Sequence, residues 1–153
     1  MFYHERCRGS YKWQTANEFT TNMLNHAVAQ GIDIVVVADN APAHAIMQQV
    51  FVGDFSGATL LKLPPYSPML NPIENVWSFV KSHLKTSLRE RLDAFVGPHP
   101  EGLTRQEYRM QLLERYADAG LRAVNTREFI FLVNHLELSY ARATAGEDMD
   151  VGR

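Results

Sequence analysis

Apolar positions fall into two kinds of pattern along this chain, helical spacing and short continuous runs. From Thr15 to Gly31 they follow helical spacing: Phe19, Met23, Ala27 and Val28 share a face, Thr15 and Glu18 have capping-box spacing, and Gly31 supplies a stop. The run IDIVVVAD (32–39) is continuous and β-branched, which predicts a short strand buried on both faces. After a turn at Asn40–Ala41, Pro42 can open a second helix with Ile46, Met47, Val50 and Phe51 on its apolar face. ATLLKLP (58–64) predicts a second short buried strand, and PPYSPMLNP (64–72) a loop stiffened by its prolines.

Helical spacing returns after the loop. Asn71 suits an N-cap, Pro72 suits the first helical position, and Ile73, Val76, Trp77, Val80 and Leu84 form an apolar stripe that assigns Trp77 to the core. VGPHPEG (96–102) reads as a linker or loop, and Thr104 with Glu107 opens a further helix expected to end near Gly120. A last helix is expected after Thr126, carrying Phe129, Ile130, Val133 and Leu136, followed by a frayed acidic tail, AGEDMDVGR. Strands alternate with helices in the first half and helices fill the second, so the pattern predicts an α/β sheet with a helical C-terminal extension. Two strands are few for a stable sheet. Either MFYHERCRGSYKWQ supplies another, or part of the domain lies outside this chain.

Composition narrows the reading. The 153 residues suit one domain, and 46% apolar with 21% charged residues is ordinary for a globular protein. Net charge is -2, so no global basic field attracts polyanions. One cysteine, Cys7, excludes an intramolecular disulfide framework and a Cys-rich zinc site. No apolar signal-peptide core or membrane span is visible, which leads us to expect a soluble, intracellular protein, nuclear if the host is eukaryotic.

Two acids stand out by position. Asp39 ends the first strand, where open α/β sheets place their sites, although an aspartate there equally suits an Asx-turn. Glu74 stands three residues after Asn71, where a capping box would use it, yet it shares the polar side of its helix with Ser78, Lys81 and Lys85. Taken together, two carboxylates suit Mg²⁺ or Mn²⁺, which prefer hard oxygen ligands. Phosphodiester cleavage commonly uses two such ions about 4 Å apart.

The full text of the two motifs goes further. DNAPAH (39–44), followed by LPPYSPMLNPIENVWSFVK (63–81), resembles the mariner-like superfamily of DDE transposases, with thirty-four residues between Asp39 and Glu74. The resemblance is good over 15–88 and weak beyond. It implies an incomplete RNase-H-like (integrase-type) sheet with flanking helices, a partial catalytic domain over 1–96 and a helical C-terminal extension over 97–153. Asp39 matches the second catalytic aspartate and Glu74 the third acid, both as ligands of Mg²⁺ or Mn²⁺. Asn40 and His44 fall in the motif turn, and Tyr66, Ser67, Pro68, Asn71 and Pro72 match the loop that positions the last acid. His44 reads either as a residue bonding a nearby carbonyl or phosphate, or as a metal ligand.

The chain also departs from that family. No aspartate precedes Asp33, and Glu5, the one acid among the first fourteen residues, sits in nothing like the family's first motif. The helix-turn-helix modules that read transposon ends are not visible either. These departures lead us to expect the C-terminal part of a catalytic domain, descended from an enzyme of DNA cleavage and strand transfer and inactive alone. Lys81, His83, Lys85, Arg89 and Arg91 form a local basic cluster that could contact phosphates, or an ordinary solvated helix face. Expected partners are transposon-end DNA in the ancestral reaction, a second copy or an intact transposase, and no membrane. The alternative is a non-enzymatic RNase-H-like interaction module that modulates a transposase or another protein.

Overall fold

The computed structural model describes residues 3–52, 55, 57–124, 126–134 and 136–147, without the side chains of 126, 128 and 132. The acidic tail beyond 147 lies outside the described residues. By their internal contacts the described residues fall into two compact units, one within 3–71 and 142–147, the other within 72–141.

The first unit holds a helix, α1 (Trp13–Ala29), and two strands, β1 (Ile34–Ala38) and β2 (Ala58–Lys62). The strands pair in parallel, Ile34 opposite Ala58 and Ala38 opposite Lys62. α1 ends as Gly31 predicts: Gly31 takes φ +64°, its N–H donates to Val28 O, and the Ile32 N–H reaches back to Ala27 O. Its start differs from expectation. The helix opens at Trp13 after Lys12, with no side-chain cap, so Thr15 already lies in the first turn and cannot cap it. Its buried stripe is Ala16, Thr20, Leu24 and Ala27, one residue round from the expected face, and Val28 is exposed. Small side chains explain the shift: Ala16 packs with Ala38 and Met47, and a Thr20 hydroxyl bonded to Ala16 O at 2.8 Å can be buried without an orphaned polar atom.

Neither strand is buried on both faces. Val36 and Leu60 pack toward the core of Ala16, Ala38 and Met47, whereas Val35 (63% exposed), Val37 and Leu61 stand in the open on the other face. A sheet of two strands has α1 on one side only, and among the described residues no segment of 3–12 adds a strand. The helix expected after Pro42 is two short 3₁₀ turns instead, Pro42–His44 and Met47–Phe51. Met47 is still buried, so the apolar signal there was real while its period was not helical.

The second unit is helical: α2 (Pro72–Glu90), α3 (Leu92–Val96), α4 (Arg105–Ala123), α5 (Thr126–Asn134) and the start of α6 (Glu137–Thr144). Pro72 occupies the first position of α2, as expected. Val76 and Val80 carry the core of the expected stripe, packed with Val124, Phe79 and Leu121. Ile73 and Trp77 do not: Trp77 is 41% exposed, because the buried line of α2 faces α4 along Val76 and Val80 and leaves Trp77 beside it. Thr104 caps α4 as predicted, its hydroxyl accepting from Glu107 N at 3.1 Å. Gly120 does not end α4, which runs to Ala123. A Cβ on Gly120 would stand 3.3 Å from Val80 Cγ1, so this glycine serves close helix packing rather than termination. The last predicted helix is two shorter ones, and Phe129 and Ile130 are exposed while Leu136 is buried.

Candidate active site

The parallel register places the carboxyl ends of both strands side by side, so Asp39, one residue past β1, stands next to Lys62 and Leu63. The ladder runs on past the strands, with Leu63 N–H donating to Ala38 O at 2.9 Å. Asn40 Nδ2 donates to Leu63 O at 2.6 Å, and Lys62 Nζ to His44 O at 2.5 Å. The turn after β1 is thus clasped from β2 at two points.

Within that turn Asp39 does make the Asx-turn that its position allows. Ala41 N–H donates to Asp39 Oδ1 at 2.9 Å, and His44 Nδ1 lies 2.7 Å from the same oxygen. An ionised carboxylate can only accept, so the imidazole proton sits on Nδ1. His44 therefore bonds neither a carbonyl nor a phosphate through that nitrogen; its partner is the carboxylate itself. Both recorded bonds fall on Oδ1, and the side chain remains 42% exposed. Partial burial pushes the Asp39 carboxyl pKa up. The Ala41 N–H, the His44 hydrogen bond and the charges of His44 and Lys62 outweigh it, leaving the pKa below the ordinary carboxylate value. Asp39 is a stable anion at neutral pH.

The loop from Leu63 to Asn71 is shaped by its prolines and anchored at both ends. Leu63, Leu70 and Asn71 are buried, while Tyr66 is 87% exposed and takes φ +57°, a left-handed conformation that costs a non-glycine residue about 1–2 kcal/mol. Ser67 Oγ donates to Pro65 O at 3.2 Å, and Pro68–Leu70 forms a 3₁₀ turn. That turn takes up the Asn71 N–H, which donates to Pro68 O at 3.0 Å. A capping box needs the same N–H for Glu74, so the capping expectation for Glu74 is not met.

Glu74 belongs to the other unit, in the first turn of α2, where its side chain is exposed and makes no hydrogen bond or ion pair to a described residue. The positive end of the α2 dipole favours its charge. Farther along α2, Lys81, Lys85 and Arg89 are exposed at four-residue intervals, about 6 Å apart along the axis. Arg91 is exposed beyond the end of α2, but His83 is half-buried against Gly120 of α4 and leaves the expected cluster.

Among the described residues no three His, Cys, Asp or Glu side chains gather as a metal-binding group. The donor that does fit a hard cation is Asp39, anionic, accessible and bonded through one oxygen only; Mg²⁺ sites can use one or two carboxylates with water completing the shell. Sequence reasoning did not single out Lys62 or the Ala41 N–H. The signal for Lys62 was its charge inside the apolar run ATLLKLP, meaningful once β2 is paired with β1. Glu5, the early acid, is tied up by the Tyr3 hydroxyl and by Asn22 Nδ2 at 3.1 Å.

Residues 3–95, well over half of the chain, match the family described as DDE superfamily endonuclease. Over 60 residues, 39% of this chain, it is 38% identical to the uncharacterized protein y4pE/y4sA of Sinorhizobium fredii (strain NBRC 101917 / NGR234). That stretch is 42% of the relative's length, so the match spans less than half of that protein. No solved structure matches. The family match takes in the clasped turn, the proline loop and the start of α2 alike, and the chain belongs to the DDE superfamily endonuclease family.

Proposed function

We propose that this chain carries part of a mariner-like DDE transposase catalytic domain, of RNase-H-like fold over 1–96 with 97–153 as its helical extension. Its ancestral reaction is metal-dependent cleavage and strand transfer at DNA phosphodiesters. One observation carries the reading: Asp39, at the carboxyl end of a parallel strand, is held anionic by Ala41 and His44 with one oxygen left for a ligand. Asp39 and Glu74 are the carboxylates that would hold Mg²⁺ or Mn²⁺. The ions would supply activation of the attacking hydroxyl and stabilisation of the leaving oxygen.

The chain's own residues do the rest. The proline loop with Tyr66, Ser67 and Pro68 matches the loop that positions the last acid in the resembled family, the role it would have toward Glu74. Lys81, Lys85 and Arg89 offer an exposed cationic stripe for phosphates, a local field on a chain whose net charge is -2. Transposon-end DNA is the partner this implies.

Two carboxylates are one short of the set that such chemistry uses. Purified 1–153 with Mn²⁺ is therefore expected not to nick supercoiled plasmid or transposon-end DNA. Supplying a preceding strand segment that bears an aspartate should restore nicking, and Asp39→Asn should abolish it again. Robust nicking by 1–153 itself would show that another acid of this chain completes the site. A second reading, an interaction module that binds an intact transposase or another protein, is favoured by the open sheet face of Val35, Val37 and Leu61. It requires the chain to bind without metal and to keep binding after Asp39→Asn.

A further inference from the structure

A carboxylate that binds a cation well must present the same oxygen each time, and the Asp39 side chain has a soft terminal torsion that does not guarantee this. In the turn after β1 two donors converge on one oxygen. Ala41 N–H approaches Oδ1 at 2.9 Å and His44 Nδ1–H at 2.7 Å, which uses both lone pairs of that atom and leaves those of Oδ2.

The histidine is itself held. Pro42 sets the backbone of its 3₁₀ turn, the His44 N–H donates to Ala41 O at 2.8 Å, and the His44 carbonyl accepts from Lys62 Nζ at 2.5 Å. Its side chain is only 25% exposed. A donor so braced on both sides of its own Cα acts as a fixed peg rather than a passing partner. The Ala41 N–H alone would leave the carboxylate free to pivot about one hydrogen bond.

We propose that His44 is a positioning residue that locks the Asp39 carboxylate for one-oxygen coordination of a divalent cation through Oδ2. The inference rests on the reading of Asp39 as a metal ligand. Groups that orient a metal ligand in this way are typically worth ten- to a hundredfold in metal affinity. The geometry also specifies which replacement can stand in. Asparagine carries its amide nitrogen on Cγ, as histidine carries Nδ1, and can donate to Oδ1 from the same place.

The test is Mn²⁺ titration calorimetry on the 1–153 chain and on Asp39→Asn, His44→Ala and His44→Asn, with far-UV circular dichroism to check folding. Asp39→Asn is expected to remove binding, His44→Ala to weaken it about ten- to a hundredfold, and His44→Asn to recover most of the loss. If His44→Ala does not fold, His44→Phe, which keeps the ring and drops the donor, takes its place. Loss of binding in Asp39→Asn with His44→Ala within about twofold of the parent would overturn the positioning role alone. Equal weakening by His44→Ala and His44→Asn would overturn it too, because the donor at Nδ1 would not be what matters. Absence of binding to the parent chain, or binding unchanged in Asp39→Asn, would overturn the underlying reading of Asp39.

Discussion

At the scale of single residues, Asp39 is the position where structure and chemistry meet. An aspartate at the end of a strand suits an Asx-turn or a ligand, and the geometry shows these are compatible, since the turn uses only Oδ1. Partial burial raises its pKa, but the Ala41 N–H, the His44 hydrogen bond and the His44 and Lys62 charges outweigh it and hold the folded pKa below the unfolded value. The stabilisation it contributes is therefore present above the unfolded carboxylate range and is lost as pH falls through the lower, folded pKa. Carbon-detected NMR titration should place the Asp39 midpoint below that of an ordinary aspartate, and His44→Ala should move it upward. A midpoint at or above the ordinary value would remove the His44 contact. Glu74 behaves differently, because the bond that would have made it a capping residue is taken by Pro68 O. Glu74→Gln should thus change stability by less than about 0.5 kcal/mol, as surface substitutions do, while lowering Mn²⁺ affinity. A loss of about 1 kcal/mol or more in urea unfolding with unchanged affinity would point back to capping. The motif residues were legible from their spacing; the Lys62 clasp was not, because it depends on a register between segments twenty residues apart.

At the scale of elements, the strands, the Gly31 stop, Pro72 and the Thr104 cap followed from local physics, since each depends on residues within a turn of one another. The misses share a cause: they depend on partners distant in sequence. The sequence places Met47 and Phe51 on a helix, yet 3₁₀ turns bury Met47 and pack the half-buried Phe51 against the same core equally well. Helical spacing assigns Trp77 to the core, but the neighbouring helix α4 selects the Val76–Val80 line and leaves Trp77 beside it. The sequence suggests a helix end near Gly120, but this glycine is the contact point of α4 with Val80. The close approach makes a specific demand on size. Gly120→Val should destabilise the protein by about 1–3 kcal/mol in urea unfolding, the usual range for forcing extra carbons into a packed contact. A variant as stable as the parent would mean that α2 and α4 do not pack at that distance.

At the scale of the whole molecule, the chain carries one strand-end carboxylate in a braced turn, a second at the start of an exposed helix face, and a sheet with one face open. No helix among the described residues is long and apolar enough to cross a membrane. The two strands are readable from the short apolar runs IDIVVVAD and ATLLKLP. That their outer face would stand bare is not, because burial on both faces is inferred from apolar content and a two-strand sheet can cover only one. Asp39 and Glu74 are the proposed ligands of a divalent cation. Paramagnetic broadening of backbone amide resonances by substoichiometric Mn²⁺ tests that proposal most directly. The expected result is selective broadening of Ala38–His44, lost in Asp39→Asn, and of Ile73–Asn75, lost in Glu74→Gln. Broadening that spares Ala38–His44, or that persists there in Asp39→Asn, would contradict it.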